Sequence, residues 1–412
     1  MFVNQVFLGG TMNRSRHALT FTITIMLTGA FVVQPAFASK SPSETDKRAI
    51  AGLARTYLQE RAERLVVGTA RAANSMTSIR VAGSLQERFA TEARELDAKR
   101  ELYRRVSGGK KAAEVDISQL TWSNMTPSSA QLDAVETGKL YFVRSAPDGP
   151  KFETYWLNHT FSFTRTTDGW TLVDTTADVA PGPPPATQPA NTVDKNEKED
   201  VEATGKFKPM ASDTDRSMPS KAAIPETKFG SAPRVAGPPY NYGAMVAYAS
   251  RHVENYNPNY RAYGNDCTNF ISQIMQSGGW DYVGSGILER TDPDKWFYGG
   301  GPGETFLTSY SWAGAHNWGV FAQIYSKRTT GLPNVWLMDL ADVLQVDWDH
   351  PAGDPGSIID HTMLVTGRWG YEGDPYAQEL YMTYHTNNRY NRPLSEIIAE
   401  THPEDIWYAH RT

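Results

Sequence analysis

The stretch from residue 180 to 237 divides this chain, because it lacks the side chains from which a packed core is made. It opens with Pro181-Gly182-Pro183-Pro184-Pro185, carries a charge run from Asp194 to Glu202, and is nearly empty of aromatic residues until Tyr240. Such a segment cannot bury enough apolar surface to offset the entropy of ordering it, and its prolines stiffen and extend it. It reads as a disordered Pro-rich linker over 180–237, with one folded region before it, 39–179, and another after it, 238–412. A chain of 412 residues, 40% hydrophobic and 21% charged, supplies packed cores for both.

The first 38 residues belong to neither region. Arg14, Arg16 and His17 make a basic start, Ala18 to Val33 is almost wholly apolar, and Ala36-Phe37-Ala38 has the small-x-small pattern of a signal-peptidase site. This is the layout of a secretory signal peptide, 1–38, cleaved after Ala38. Its apolar run falls short of the roughly 20 residues that a spanning helix needs. No second long apolar run follows, so the mature chain is expected to be extracytoplasmic, without a transmembrane segment. A net charge of -6 argues against nucleic acid as a partner. Nothing in the sequence speaks to oligomeric state.

Residues 39–179 begin helically. Ile50, Leu53, Tyr57, Leu58 and Leu65 repeat at the spacing of one buried helix face, and a second helical stretch runs from Leu85 to Val106. The pattern then changes. Lys139 to Arg144, Phe152 to Thr166 and Trp170 to Val173 are rich in aromatic and β-branched residues, with Asp168-Gly169 as a hairpin turn. Helices followed by antiparallel strands predict a small α+β domain. His159, a single imidazole on a strand, reads as structural.

The chemistry lies in the second region. The chain has one cysteine, so an intrachain disulfide is impossible, and a secreted protein has little reason to keep an oxidisable odd thiol. Cys267 is either a small buried hydrophobe or a nucleophile. Asn265 or Asp266 makes a good N-cap for a helix from Cys267 to about Ser277, ended by Gly278-Gly279. In that first turn the helix's partial positive charge favours a thiolate. Phe270, Ile271 and Ile274 share a face with Cys267, so the sulfur is predicted to point at the body of the domain. His361 opens the strand pattern His361-Thr362-Met363-Leu364-Val365-Thr366, and Glu379 to His385 is a second strand across a turn-rich loop. A hairpin symmetric about Gly373 would set His361 opposite His385 on one face, with Asn387 two residues further on. A one-residue slip would undo this. A thiol at a helix start, a histidine on a facing strand and a polar third group make a cysteine-nucleophile site.

These residues carry a resemblance. Asn265-Asp266-Cys267-Thr268-Asn269-Phe270-Ile271-Ser272-Gln273, then Asp360-His361-Thr362-Met363-Leu364-Val365-Thr366, then Tyr384-His385-Thr386 resemble, in order, three motifs of the putative amidase-domain family of secreted bacterial proteins. Tyr240 to Asn257 resembles its opening helix. That family is similar to the NlpC/P60 and CHAP groups of papain-like cysteine hydrolases. The resemblance implies a papain-like α+β domain over 238–412, its Cys helix packed on an antiparallel sheet that carries the histidine. It further implies Cys267 as nucleophile, His361 as base, His385 as the orienting residue, and an amide or peptide substrate, with peptidoglycan stem peptides as a candidate. No cofactor is implied. The backbone N–H of Cys267 would serve the oxyanion. Asn265 is a candidate side-chain donor and equally an N-cap, and Asn387 is a candidate orienting residue.

Other readings stay open. A non-catalytic cell-envelope binding protein could keep the fold for recognition, and an amine acyltransferase could use the same Cys–His site. A metal is not expected: Asp347, Asp349 and Asp354 do not match a calcium-loop spacing, and His361 and His385 lack the companions of a zinc site. Trp296, Tyr298, Tyr310, Trp312, Trp318 and Trp336 read as core before they read as groove, with Trp312, Trp318 and a structural His316 on helical segments.

Overall fold

Two helices open the described chain, and their sequence spacing sets what they bury. The computed structural model describes residues 42–68, 79–147, 149–180, 183, 187–188, 240–299, 307–348, 359–371, 374–401 and 405–412, with backbone alone at 370–371 and 374–378. The signal-like segment and most of the linker lie outside the described residues. Helix α1 (Glu44–Glu63) starts at a capping box, in which Ser43 Oγ accepts from Asp46 N at 3.2 Å and Ser43 N donates to Asp46 Oδ2 at 3.0 Å. Ile50, Tyr57 and Leu58 are buried along it, Leu65 is buried just beyond it, and Leu53 packs at the edge of the cluster. Helix α2 (Gly83–Val106) buries Leu85, Phe89, Ala93, Leu96 and Tyr103.

Both helices lie on an antiparallel meander of β1 (Lys110–Ser123), β2 (Ser129–Phe142), β3 (Phe152–Thr166) and β4 (Gly169–Asp178). The Asp168-Gly169 turn forms as the sequence predicts: Thr166 pairs with Gly169, whose φ of 115° suits glycine. Leu132, Phe161 and Phe163 face the helices in one core cluster.

The sheet does not stop there. Strand β3 pairs with β4 over its second half, while Thr154 and Tyr155 near its start pair with Tyr390 and Arg389 of β9 (Arg389–Pro393). The strands run on through β8 (Asp374–Tyr384), β7 (His361–Tyr371), β6 (Val343–Asp347), β10 (Ile406–Arg411) and β5 (Thr330–Leu332), giving one ten-stranded sheet shared by the regions before and after the linker.

In the second region this sheet is covered on both faces. Helices α3 (Tyr242–His252) and α4 (Cys267–Ser277), with α5 (Tyr310–Ala313) and α6 (Ala315–Gly319), form one cluster with Trp280, Trp296, Trp312 and Trp318, against Val343 and Leu364. On the other face α7 (Leu394–Glu400), Trp336 and Trp407 pack with Leu344, Val346, Met363, Val365, Met382 and Tyr384. The architecture is thus mixed α+β around a large antiparallel sheet. Trp296, Trp312, Trp318 and Trp336 are core, as their density suggested.

One expectation fails. The β7–β8 hairpin is not symmetric, because two irregularities, between Val365 and Gly367 and between Trp369 and Tyr371, shift its register. Leu364 pairs with Thr383. Three residues back from Leu364 is His361, and three on from Thr383 is Thr386, so His361 and His385 are not opposed. Strand β8 ends at Tyr384, one residue short of His385.

Candidate active site

Cys267 is the first residue of α4, and nine consecutive residues from it to Met275 are buried. The apolar stripe of Phe270, Ile271 and Ile274 anchors the helix, and polar side chains fix its height over β7. Thr268 Oγ1 lies 2.9 Å from Thr362 Oγ1, to which Gln345 Nε2 donates at 3.1 Å. Gln345 Oε1 in turn accepts from His410 Nε2 at 3.0 Å.

The thiol donates to Asn265 Oδ1 at 3.3 Å and lies 3.6 Å from Thr268 Oγ1. Burial pushes its pKa up to about 11. The Thr268 hydroxyl and the backbone N–H groups of Thr362 and Thr268 pull the other way by favouring the thiolate, while the neighbouring Asp266 carboxylate adds to the rise. The sequence led us to expect a thiolate at a helix N-terminus. The structure supplies donors for one, but desolvation outweighs them.

His361 is the first residue of β7 and pairs with Val346. Strand alternation gives Thr362 and Leu364 to the α4 side and Met363 and Val365 to the opposite cluster. The ring of Tyr384 meets the imidazole edge-on at 5.2 Å, and Trp348 lies 6.4 Å away. Its Nε2 is buried without a hydrogen-bond partner among the described residues. Burial alone holds its pKa down to about 3, so the ring is neutral. No hydrogen bond joins it to Cys267, although it directly precedes the Thr362 N–H that meets the sulfur.

His385 has the opposite surroundings. Its ring is stacked between Phe270, at 3.7 Å and 6°, and Tyr256, at 4.0 Å and 5°. Nε2 donates to the His252 carbonyl at 3.1 Å, and Nδ1 lies 2.6 Å from Asp266 Oδ2. A carbonyl can only accept, so the Nδ1 contact shares one further proton between imidazole and carboxyl. The other carboxylate oxygen of Asp266 accepts from Tyr263 N at 2.9 Å and Asn269 Nδ2 at 2.8 Å. Thr386 Oγ1 accepts from Asp266 N at 2.9 Å. Asp266 therefore holds the N-cap position of α4 without capping it, its carboxylate given to His385 instead.

Asn387 faces away from this group. Its Nδ2 donates to Ala180 O at 3.0 Å, and its Oδ1 accepts from Ala180 N at 2.8 Å, tying the exit of β4 to the loop after β8. The structure thus gathers Cys267, Asn265, Asp266 and His385 at the start of α4, leaves the His361 ring with Tyr384 and Trp348 on the face of β7 away from that helix, and turns Asn387 elsewhere. Sequence reasoning missed Thr268, Thr362 and Thr386. Each directly follows a residue it had singled out, and that adjacency is the signal that was available.

Of the aspartates weighed as metal ligands, Asp349 and Asp354 lie outside the described residues. Among the described residues no three His, Cys, Asp or Glu side chains are grouped to hold a metal ion, and no helix is long and apolar enough to cross a membrane.

Comparison with known proteins finds likenesses to parts of the chain. Two solved structures share small portions of the backbone: the intermembrane space region of chloroplast protein ARC6 (TM-score 0.22, 10% identity, 32% of this chain and 95% of that one) and Kfla4162 protein from Kribbella flavida (TM-score 0.21, 19% identity, 33% and 92%). At those scores neither bears on the fold. The uncharacterized protein YjcM of Bacillus subtilis (strain 168) is 28% identical over 211 residues, which are 50% of this chain. The match spans 45% of YjcM, about half the length of that curated relative. Residues 239–409, which contain Cys267, His361 and His385, match the family named "Putative amidase domain", a description that points to hydrolysis of C–N bonds.

Proposed function

We propose that the chain is a secreted, thiol-dependent amide hydrolase in which Cys267 is the nucleophile and His361 the general base. The observation that carries this reading is the set of donors around one sulfur: the Thr268 hydroxyl and the backbone N–H groups of Thr362 and Thr268 all favour its anion. A thiol serving only as core has no use for them. The amidase-family match over 239–409 supplies the bond class, and the signal-like segment at 1–38 supplies the compartment. Peptidoglycan stem peptides are the first substrates to test.

At rest both partners are neutral, so the reaction starts with proton transfer and not from a stored ion pair. The His361 ring rests on the face of β7 away from α4, so the reaction requires it to leave Tyr384 and swing round the start of the strand to the sulfur. It takes the thiol proton as Sγ attacks the amide carbonyl. The imidazolium then protonates the departing amine, leaving a thioester, and a water deprotonated by the same ring hydrolyses it. Of the two histidines only His361 has a ring nitrogen to spare. His385 is a positioning residue that fixes Asp266 and, through it, the residue that follows, Cys267.

The test is release of free amine from peptide and amidated substrates, including muropeptides, by the full chain and its variants. Cys267→Ala should abolish release. His361→Phe, which keeps the ring's volume, should lower kcat by about 10²–10⁴-fold, the usual weight of a general base, without lowering the urea midpoint. Undiminished hydrolysis by Cys267→Ala would sink the proposal and favour a binding protein with an inert core thiol.

A further inference from the structure

Away from the site, a buried guanidinium without hydrogen-bond acceptors among the described residues sits where β3 meets β9. Arg389 pairs with Tyr155 on one side and Tyr384 on the other, and is fully enclosed. Its guanidinium carbon lies 4.9 Å from the centroid of the Tyr155 ring. None of its three side-chain nitrogens has a hydrogen-bond acceptor among the described residues. A guanidinium cannot shed its proton to escape burial, as a lysine can, and an enclosed cation without a counter-charge is strongly unfavourable.

The carboxylates near it lie against other groups, and none of them hydrogen-bonds Arg389. Glu136 accepts from the Tyr155 hydroxyl and bonds His159 Nε2, each at 2.7 Å. Glu153 and Glu396 share Lys110, at 3.1 and 2.8 Å. Glu400 is shared by Lys99 at 3.3 Å and Arg392 at 2.7 Å. A neighbour feels the cations around it: burial brings Lys99 down to about 8, and the like charges of Arg392 and Arg389 add to that fall against the pull of Glu400.

Two other cations of this chamber obtain oxygen acceptors from the chain after β4. Arg61 Nη2 donates to Thr187 O at 2.5 Å, and Lys99 Nζ donates to Gln188 O at 2.8 Å. The place is therefore built to bind oxygen acceptors, and Arg389 is the donor left over.

We propose that the Arg389 guanidinium binds a small oxyanion, a carboxylate or a phosphate, which enters when the chain around Thr187 and Gln188 opens. The anion takes a fork of hydrogen bonds from Arg389 and satisfies its unpartnered donors. This site is independent of the thiol chemistry.

The test is the melting temperature of the full chain titrated with inorganic phosphate and, separately, acetate, at ionic strength held constant with sodium chloride. A ligand bound only by the folded state raises the melting temperature with its concentration. The wild type should gain several degrees and saturate, and the probe that saturates at lower concentration identifies the source. Arg389→Lys keeps the charge without the fork and should need at least tenfold more anion. Arg389→Met should lose the response while melting no lower than wild type without anion. No rise above the chloride control, or the same rise in wild type and Arg389→Lys, overturns the proposal. That comparison decides the matter even if Arg389→Met fails to fold.

Discussion

Two imidazoles stand at the ends of neighbouring strands, His385 against the start of α4 and His361 on the opposite face of the sheet, and their surroundings differ throughout. His385 has both ring nitrogens bonded and both ring faces covered, by Phe270 and Tyr256. His361 has an unpartnered Nε2 and meets its nearest aromatic ring edge-on. One is built into the scaffold and the other is held in reserve. A ring nitrogen free of any structural hydrogen bond is what a general base needs, and of the two only His361 has one among the described residues.

Stability should separate the two most strongly. His385→Phe preserves stacking but leaves the Asp266 carboxyl and the His252 carbonyl without their imidazole, and breaking a buried pair of this kind costs about 3–5 kcal/mol. His361→Phe replaces an unpartnered polar ring by an apolar one of similar shape, which should be near neutral or stabilising at pH 7. Urea unfolding midpoints measure both. Equal losses would break the comparison and return His361 to a structural role.

Acid should separate them next. Folded His361 stays neutral down to about pH 3, whereas in the unfolded chain it takes a proton near 6.5. Its contribution is fully present above pH 6.5 and is lost as pH falls toward 3, because there the unfolded state binds the extra proton. Within that window one such group gives a slope of about 1.4 kcal/mol per pH unit. His410, held down to about 4 by burial, adds to the same loss. His361→Phe should therefore flatten part of the acid limb of a stability-against-pH curve and leave the rest. An unchanged limb would show that His361 is not buried neutral in the folded protein.

These contrasts could not all be read from the sequence, and the reason is locality. The stripe of Phe270, Ile271 and Ile274, the Asp168-Gly169 turn and the β7 and β8 segments each announce themselves within about a dozen residues, since period and turn chemistry are local signals. The register of β7 against β8 is not local. It is set by irregularities at Val365 and Trp369 that no residue type marks, and one slip was enough to part His361 from His385. The bond from His385 to Asp266 spans 119 positions, so nothing near either residue discloses it. The pairing of β3 with β9 leaves no mark on either strand's own pattern. The thiol's raised pKa likewise depends on everything packed over α4, whereas the sequence shows only the helix start that would lower it.

The smallest effect tests how far the His385 side depends on its loop. Asn387 exchanges two hydrogen bonds with Ala180, each worth about 1 kcal/mol net, so Asn387→Ala should cost roughly 1–2 kcal/mol. The loss matters because Asn387 follows Thr386, whose hydroxyl accepts from Asp266 N immediately before Cys267. Slackening that loop should open the buried thiol more often, and Cys267 should react with iodoacetamide several-fold faster at about pH 9. If the rate does not change, the contacts of Asn388 with Tyr256 Oη and Trp156 N are enough to hold the loop. The start of α4 would then be insulated from the exit of β4, and the fixed character of His385 would come from its stacking and from Asp266 alone.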